Sequence, residues 1–407
     1  VEPLFTAAQL EEVRAYHAPI YTAALVELVV WPLLTSLLVF FGTRPLYRLA
    51  TRLTERVRVP ALERAWQGPG WAAAVLFALL FFGALALAAL PVTAWFDFVR
   101  ERQFGLSTQS FAAFAWDELK AHGLFAAAVT ALAFGLFGIA RRTPRWWWLV
   151  GLACGAALAV SAALDPYRSL VYVDQAPLPE GPLRTRLVDL LAAARVEWGD
   201  IVVLETSKKS VKVQAAFSGS GPTRTILLTD TLLAQMTEDE IVAAVAHEAG
   251  HVSENRWLGR VVVPLAILAF LGFIEWLSRL AARRGWFGIT ERADVRVLPL
   301  VALLFDLVMT ASGPVAGWRG REREYAADRV AVALTGSPRH LSSLLVKLAR
   351  VNKTDPEPPG WYVLLGASHP PLGERLAALQ KNATPPPTTP VTEGTSPQQS
   401  PAPGMTR

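Results

Sequence analysis

The chain has 407 residues, of which 52% are hydrophobic and 18% charged, a balance too apolar for an ordinary soluble domain. Its net charge of +5 is spread over short loops, which suits membrane topology rather than the clustered basic surface of a nucleic-acid binder. A single cysteine, Cys154, excludes a disulfide framework and a cysteine-built zinc site within the chain.

The chain begins at Val1 rather than Met, which fits a removed signal peptide or a missing first helix. Six segments have the length and apolarity of membrane spans: residues 20–41, 71–95, 123–140, 147–164, 261–280 and 297–316. The fourth is short, and a buried helix is the alternative reading for it. Three spans carry acids, Glu27, Glu275 and Asp306, which either line a wet interior or pair with arginines near helix ends. The loops 43–70, 141–145 and 283–296 are rich in arginine and fall on one side if all six segments cross. The positive-inside rule makes that side cytoplasmic and turns residues 165–256 outward.

Residues 1–164 therefore read as N-terminal membrane helices, and 165–260 as an inserted α+β unit. Within that unit, 183–195 is predicted helical, and 201–205, 211–217 and 224–229 are predicted strands of a small antiparallel sheet. Residues 261–316 supply two further spans, and 317–382 carry helices that include about 339–351 and 371–380. The tail from 383 to 407 is Pro, Thr and Ser with hardly an apolar side chain, a composition that predicts disorder. The fold class is thus a polytopic, mainly α membrane bundle with an inserted α+β unit.

The helix that follows the predicted sheet carries His247-Glu248-Ala249-Gly250-His251. Residues four apart share a helix face, so two imidazoles at this spacing can grip one zinc ion, and the glutamate between them can deprotonate a bound water. The sequence Thr237-Glu238-Asp239-Glu240 has the form of a capping box, and the apolar run 241–246 leads into His247, so the motif sits on a helix starting near Thr237. Catalytic zinc usually takes a third protein ligand, and the best candidate is Glu324. Asp328, one turn beyond it, is placed to accept the free N–H of a ligating histidine. The alternative for Arg319, Arg321, Glu322, Arg323, Glu324 and Asp328 is a solvated mixed-charge face.

These motifs resemble the integral-membrane zinc metalloproteases that include the type I CAAX prenyl proteases, a gluzincin group. Asn255 completes that family's H-E-x-G-H-x-x-x-N, Arg321 and Glu324-Tyr325-Ala326-Ala327-Asp328 match its R-x-x-E-[YF]-x-A-D, and residues 368–376 match its S-H-P-P-L-x-E-R-L. Residues 226–233 and 102–107 resemble two further stretches. The resemblance implies that the inserted α+β unit is a zincin-like catalytic domain with one zinc per chain, held by His247, His251 and Glu324, with Glu248 as general base and acid. It implies that Asp328 and Asn255 shape the site, and that His369 and Arg375 stabilise the oxyanion or hold the site together. The family's N-A-Y substrate strand corresponds to Gln214-Ala215-Ala216-Phe217, where the asparagine and tyrosine are replaced. A peptide would add to that strand's edge through main-chain bonds.

The expected activity is zinc-dependent endopeptidase cleavage of peptides or protein termini at a bacterial-type plasma membrane. The relatives imply prenylated substrates, whereas a quality-control or processing peptidase needs none. A transporter using Glu27, Glu275 and Asp306 leaves the histidine motif idle, and a silent zinc scaffold has no use for Glu248. The relatives' catalytic face is cytosolic, opposite to what the loop charges here predict.

Overall fold

The computed structural model describes residues 4–66, 70–168, 173–253 and 257–383. The chain opens with α1 (Ala7–Leu37), capped by Thr6 and Gln9, which exchange side-chain and main-chain hydrogen bonds. A π turn, Leu38–Gly42, leads into α2 (Thr43–Thr54), and α3 (Pro60–Trp66) follows. Next, α4 (Trp71–Thr93) continues through a π segment, Ala94–Arg100, into the short α5 (Glu101–Gln103). The long helices α6 (Phe111–Arg142) and α7 (Trp146–Arg168) complete the N-terminal half.

Among the described residues, five stretches are long and apolar enough to cross a membrane: Ala7–Thr54, Trp71–Gln103, Phe111–Arg142, Val261–Arg284 and Val295–Thr335. They contain five of the six expected spans. The remaining one, 147–164, lies within α7, whose described apolar run is only Trp146–Ala156. The 23 residues of α7 nevertheless reach ~35 Å. The helix begins beside the loop where Arg292 Nη1 donates to the Thr143 carbonyl at 3.2 Å, and it also packs on the sheet at the other end of the molecule.

The insertion contains β1 (Gln175–Pro177), α8 (Pro182–Ala193), β2 (Asp200–Leu204), β3 (Ala215–Ser218) and β4 (Thr225–Thr229). The sheet order is β1-β2-β4-β3. It is mixed rather than antiparallel: β2 and β4 run parallel, with Asp200 opposite Thr225, while β1–β2 and β3–β4 are antiparallel. The cause is the 205–214 connection, which docks on the loop after α5 and carries β3 past β4. There the Val211 amide donates to the Leu106 carbonyl at 3.0 Å, and Ser210 bridges Ser107. β3 is consequently an edge strand, and residues 211–214, expected in the strand, lie ahead of it.

After the sheet come α9 (Asp230–Gln235), α10 (Glu238–Ser253), α11 (Trp257–Arg284), α12 (Leu298–Thr335), α13 (Pro338–Val351), α14 (Gly360–Gly366) and α15 (Leu372–Ala383). One core, which includes Leu187, Leu191, Ile201, Ile226, Leu228, Leu232 and Leu341, binds the sheet to α8, α10 and α13. Each such side chain contributes about 1.5–3 kcal/mol on burial. The last expected span and the helix expected to carry Glu324 are one 38-residue helix, α12. It stops at Gly336, whose φ of 70° places it in the left-handed region that glycine adopts without strain.

Among the described residues, the acids of the spans form no metal-capable group. Glu275 is buried and occupied: Trp146 Nε1 donates to it at 2.6 Å, as does Arg279 Nε. Glu27 lies on an exposed helix face. This is the paired-acid reading for Glu275, while Asp306 Oδ2 is buried without a hydrogen-bond partner among the described residues. Asn255 and the proline-rich tail from 384 onward lie outside the described residues.

Candidate active site

The predicted capping box starts α10. The Thr237 amide donates to Glu240 Oε2 at 2.8 Å, and the Glu240 amide donates to Thr237 Oγ1 at 3.3 Å. The apolar run Ile241, Val242, Ala243, Ala244, Val245 and Ala246 is buried in the core. The next turn then presents His247, Glu248 and His251 at the cleft, with the two imidazole centroids 4.8 Å apart and the rings nearly perpendicular.

Gly250 explains how Glu324 arrives there. A Cβ at Gly250 would stand 2.6 Å from Ala327 Cα, so α10 and α12 meet backbone to backbone. Glu324 Oε2 then lies 3.5 Å from His247 Nε2, and Oε1 lies 3.3 Å from His251 Nε2. One ligand atom from each of these residues falls within 4.8 Å of the others, the one such metal-capable group among the described residues. Glu324 Oε2 is buried without a well-formed hydrogen bond. Two imidazole nitrogens beside such a carboxylate oxygen fit a divalent metal.

Charge around this set is arranged to hold it. Arg375 is buried, and its Nε and Nη2 donate to the two oxygens of Asp328 at 2.9 and 2.6 Å. Its Nη1 reaches Glu324 Oε2 at 3.1 Å. Asp328 Oδ1 stands 2.9 Å from His247 Nδ1, close in distance although too bent for a well-formed hydrogen bond. Burial by itself depresses the His247 imidazolium, but the carboxylates of Asp328 and Glu324 outweigh it and push its pKa up to about 9. For Glu248, burial lifts the carboxyl above its ordinary range, while His247, His251 and the Phe217 main chain pull the other way.

His369 reaches the cleft by a different route. A small-residue face of α12, Gly313, Gly317 and Gly320, lets the 365–368 segment lie directly on the helix, where Cβ atoms would come within 2.7–2.9 Å of Leu365, Gly366 and Ser368. Arg321 Nη1 fastens that segment by donating to the carbonyls of Val363 and Ala367 at 2.9 and 2.7 Å. His369 is left exposed at the rim, with Nε2 3.4 Å from Glu324 Oε1.

A cavity of about 580 Å³ joins the site to the edge of β3 and to α13. Ala215, His247, Glu248, Glu324, His369 and Arg375 all line it. Gln214 turns its main chain toward β4, its carbonyl accepting from the Thr229 amide at 3.1 Å. Ala216 and Phe217 continue the strand opposite Leu227 and Ile226. Sequence reasoning missed the packing role of Gly250 and the anchoring role of Arg321. It also missed the glycine face of α12, whose spacing of four and three residues was the available signal.

Comparison with known proteins gives two family matches. The model for peptidase family M48 matches residues 177–383, and the model described as the CAAX prenyl protease N-terminal, five membrane helices, matches residues 1–164. The uncharacterized metalloprotease YhfN of Bacillus subtilis is 25% identical over 309 residues, covering 74% of this chain and 71% of that protein. CAAX prenyl protease 1 of Saccharomyces cerevisiae is 27% identical over 326 residues, covering 74% and 71%. The crystal structure of S. mikatae Ste24p superposes with a TM-score of 0.77 at 22% identity, over 92% of this chain and 89% of that one.

Proposed function

From the premise that the chain belongs to peptidase family M48, as an integral-membrane metalloprotease related to the CAAX prenyl proteases, we propose that it is a zinc endopeptidase acting on extended peptides or protein termini. The observation that carries this reading is the convergence of His247, His251 and Glu324 within 4.8 Å, with Glu248 lining the same cavity as His247 and Glu324. Zinc, when held by those three residues, supplies Lewis-acid activation of water and of the scissile carbonyl.

The chain's own residues do the rest. Glu248, which lines the cavity beside His247 and Glu324, takes the proton of the attacking water and passes it to the leaving amine. Asp328 faces the far nitrogen of His247 and favours the tautomer that leaves Nε2 free. Arg375 is bound to both carboxylates, which supports a holding role over an oxyanion role. His369, exposed at the rim, is the residue suited to meet charge developing on the carbonyl oxygen. The peptide lies along the outer edge of β3.

The catalytic end lies outside the cytoplasm in this reading. The support is the arginine-rich opposite end, where Arg141 pairs with Glu291 at 2.8 Å, Arg292 binds Thr143 and Arg296 covers the Tyr47 ring. The function is tested by metal analysis beside a cleavage assay. Purified protein should hold one zinc per chain, and Glu324→Ala should lose most of it together with activity. Full zinc content in that variant would show that the third ligand lies elsewhere.

A further inference from the structure

The parity of β3 shows which of its main-chain groups face the cleft. Because the Gln214 carbonyl accepts from Thr229, residues 214, 216 and 218 address β4, and 213, 215 and 217 address the open side. Those three outward positions differ. The Phe217 main chain lies near Glu248 and favours its ionised carboxylate. The Val213 amide donates to Asn352 Oδ1 at 2.9 Å, and the Val213 carbonyl accepts from Asn352 Nδ2 at 3.0 Å. A primary carboxamide offers one acceptor and one donor to a single residue, which is what a residue of a neighbouring strand would offer. Ala215 is left facing the cavity that also holds His247, Glu248 and Asn352.

Asn352 is fixed in this place. It ends α13, its amide donating to the Leu348 carbonyl at 2.9 Å, and the Thr354 amide closes the turn on Ala349. The intervening Lys353 has φ 52°, a left-handed conformation that this motif normally gives to glycine. Two residues of α1 hold Lys353 there: His17 Nε2 binds its carbonyl at 2.8 Å, and Glu12 Oε1 binds its Nζ at 2.6 Å. A strained backbone retained beside the site, and braced from a membrane helix, points to a positional task for Asn352.

We propose that Asn352 is a specificity-determining positioning residue, a side-chain cap that occupies the edge of the substrate strand at Val213. Building on the peptidase reading, it restricts main-chain pairing on that side of the scissile bond to the one substrate residue opposite Ala215. The next residue that a continuous strand would pair lies two positions further along and finds the Asn352 amide already there.

The test is a scan of a cleavable peptide with single backbone N-methyl groups, read as KM and kcat for the wild type and Asn352→Ala. In the wild type, methylation opposite Ala215 should raise KM about three- to tenfold, the loss of one main-chain hydrogen bond. Methylation two residues further should leave KM unchanged. In Asn352→Ala that second position should become sensitive. Equal sensitivity at both positions in the wild type overturns the proposal without recourse to the variant. A wild-type protein that cuts no peptide overturns the peptidase reading instead, so the two failures are distinct.

Discussion

Gly250 marks the residue at which the motif becomes a site. Its missing side chain lets Ala327 approach to backbone contact, and Glu324, one turn earlier on α12, then faces both histidines. Gly250→Ala should cost about 1–3 kcal/mol through overpacking and should separate the ligands. Zinc titration of the variant should show weakened binding, and native affinity would remove Gly250 from the account. Arg375→Lys keeps the charge but loses the fork on Asp328 and should lower zinc affinity by about 10–100-fold, measurable by competition with a chelator. His247, Glu248 and His251 were legible because four-residue helical spacing is a local rule. Glu324 needed the resemblance to confirm a candidate that charge alone left open. Gly250 was legible only as a motif position, since its partner is 77 residues away and helix packing is not written in either segment alone.

At the scale of elements, α10 is pinned from both sides. Glu240 caps the helix and also binds Ser343 Oγ at 2.6 Å and Lys347 Nζ at 2.8 Å on α13. Burial raises its pKa, but Lys347 and Ser343 outweigh that and leave it below the ordinary carboxylate value. A lowered folded-state pKa means stabilisation that is complete at neutral pH and is lost as pH falls through the carboxylate range. Glu240→Gln should destabilise by about 1–3 kcal/mol near pH 7, and the gap from wild type should shrink on acidification. Thermal unfolding at pH 7 and at pH 4 reads both, and a pH-independent gap would contradict the ion-pair account. The elements themselves were largely legible from caps and apolar periodicity. The sheet was not, because parallel pairing of β2 with β4 depends on where the 205–214 connection docks, on a loop 100 residues earlier. The unity of α12 was hidden too, since its apolar first half and charged second half read as separate segments.

Across the whole molecule, the path of the chain gathers the basic loops at one end and the catalytic unit at the other. Arg141 stacks over Trp66 as well as pairing with Glu291, so loops from three parts of the sequence share one surface. Orientation is read by cysteine labelling at Ser207, which is exposed near the sheet, in a Cys154→Ser background. An impermeant reagent should label sealed cells; labelling only after permeabilisation would turn the catalytic end inward. The membrane helices and their loop charges were legible in composition, whereas the bracing of Asn352 and Lys353 by α1 was not, because it joins residues more than 330 positions apart. The central claim is that Glu248 moves the proton at a metal held by His247, His251 and Glu324. Its most direct test is Glu248→Gln, with zinc content and peptide cleavage measured on the same membrane-reconstituted sample. Zinc content should match the wild type while kcat falls by roughly 10²–10⁴-fold; undiminished cleavage at full zinc content would contradict the account.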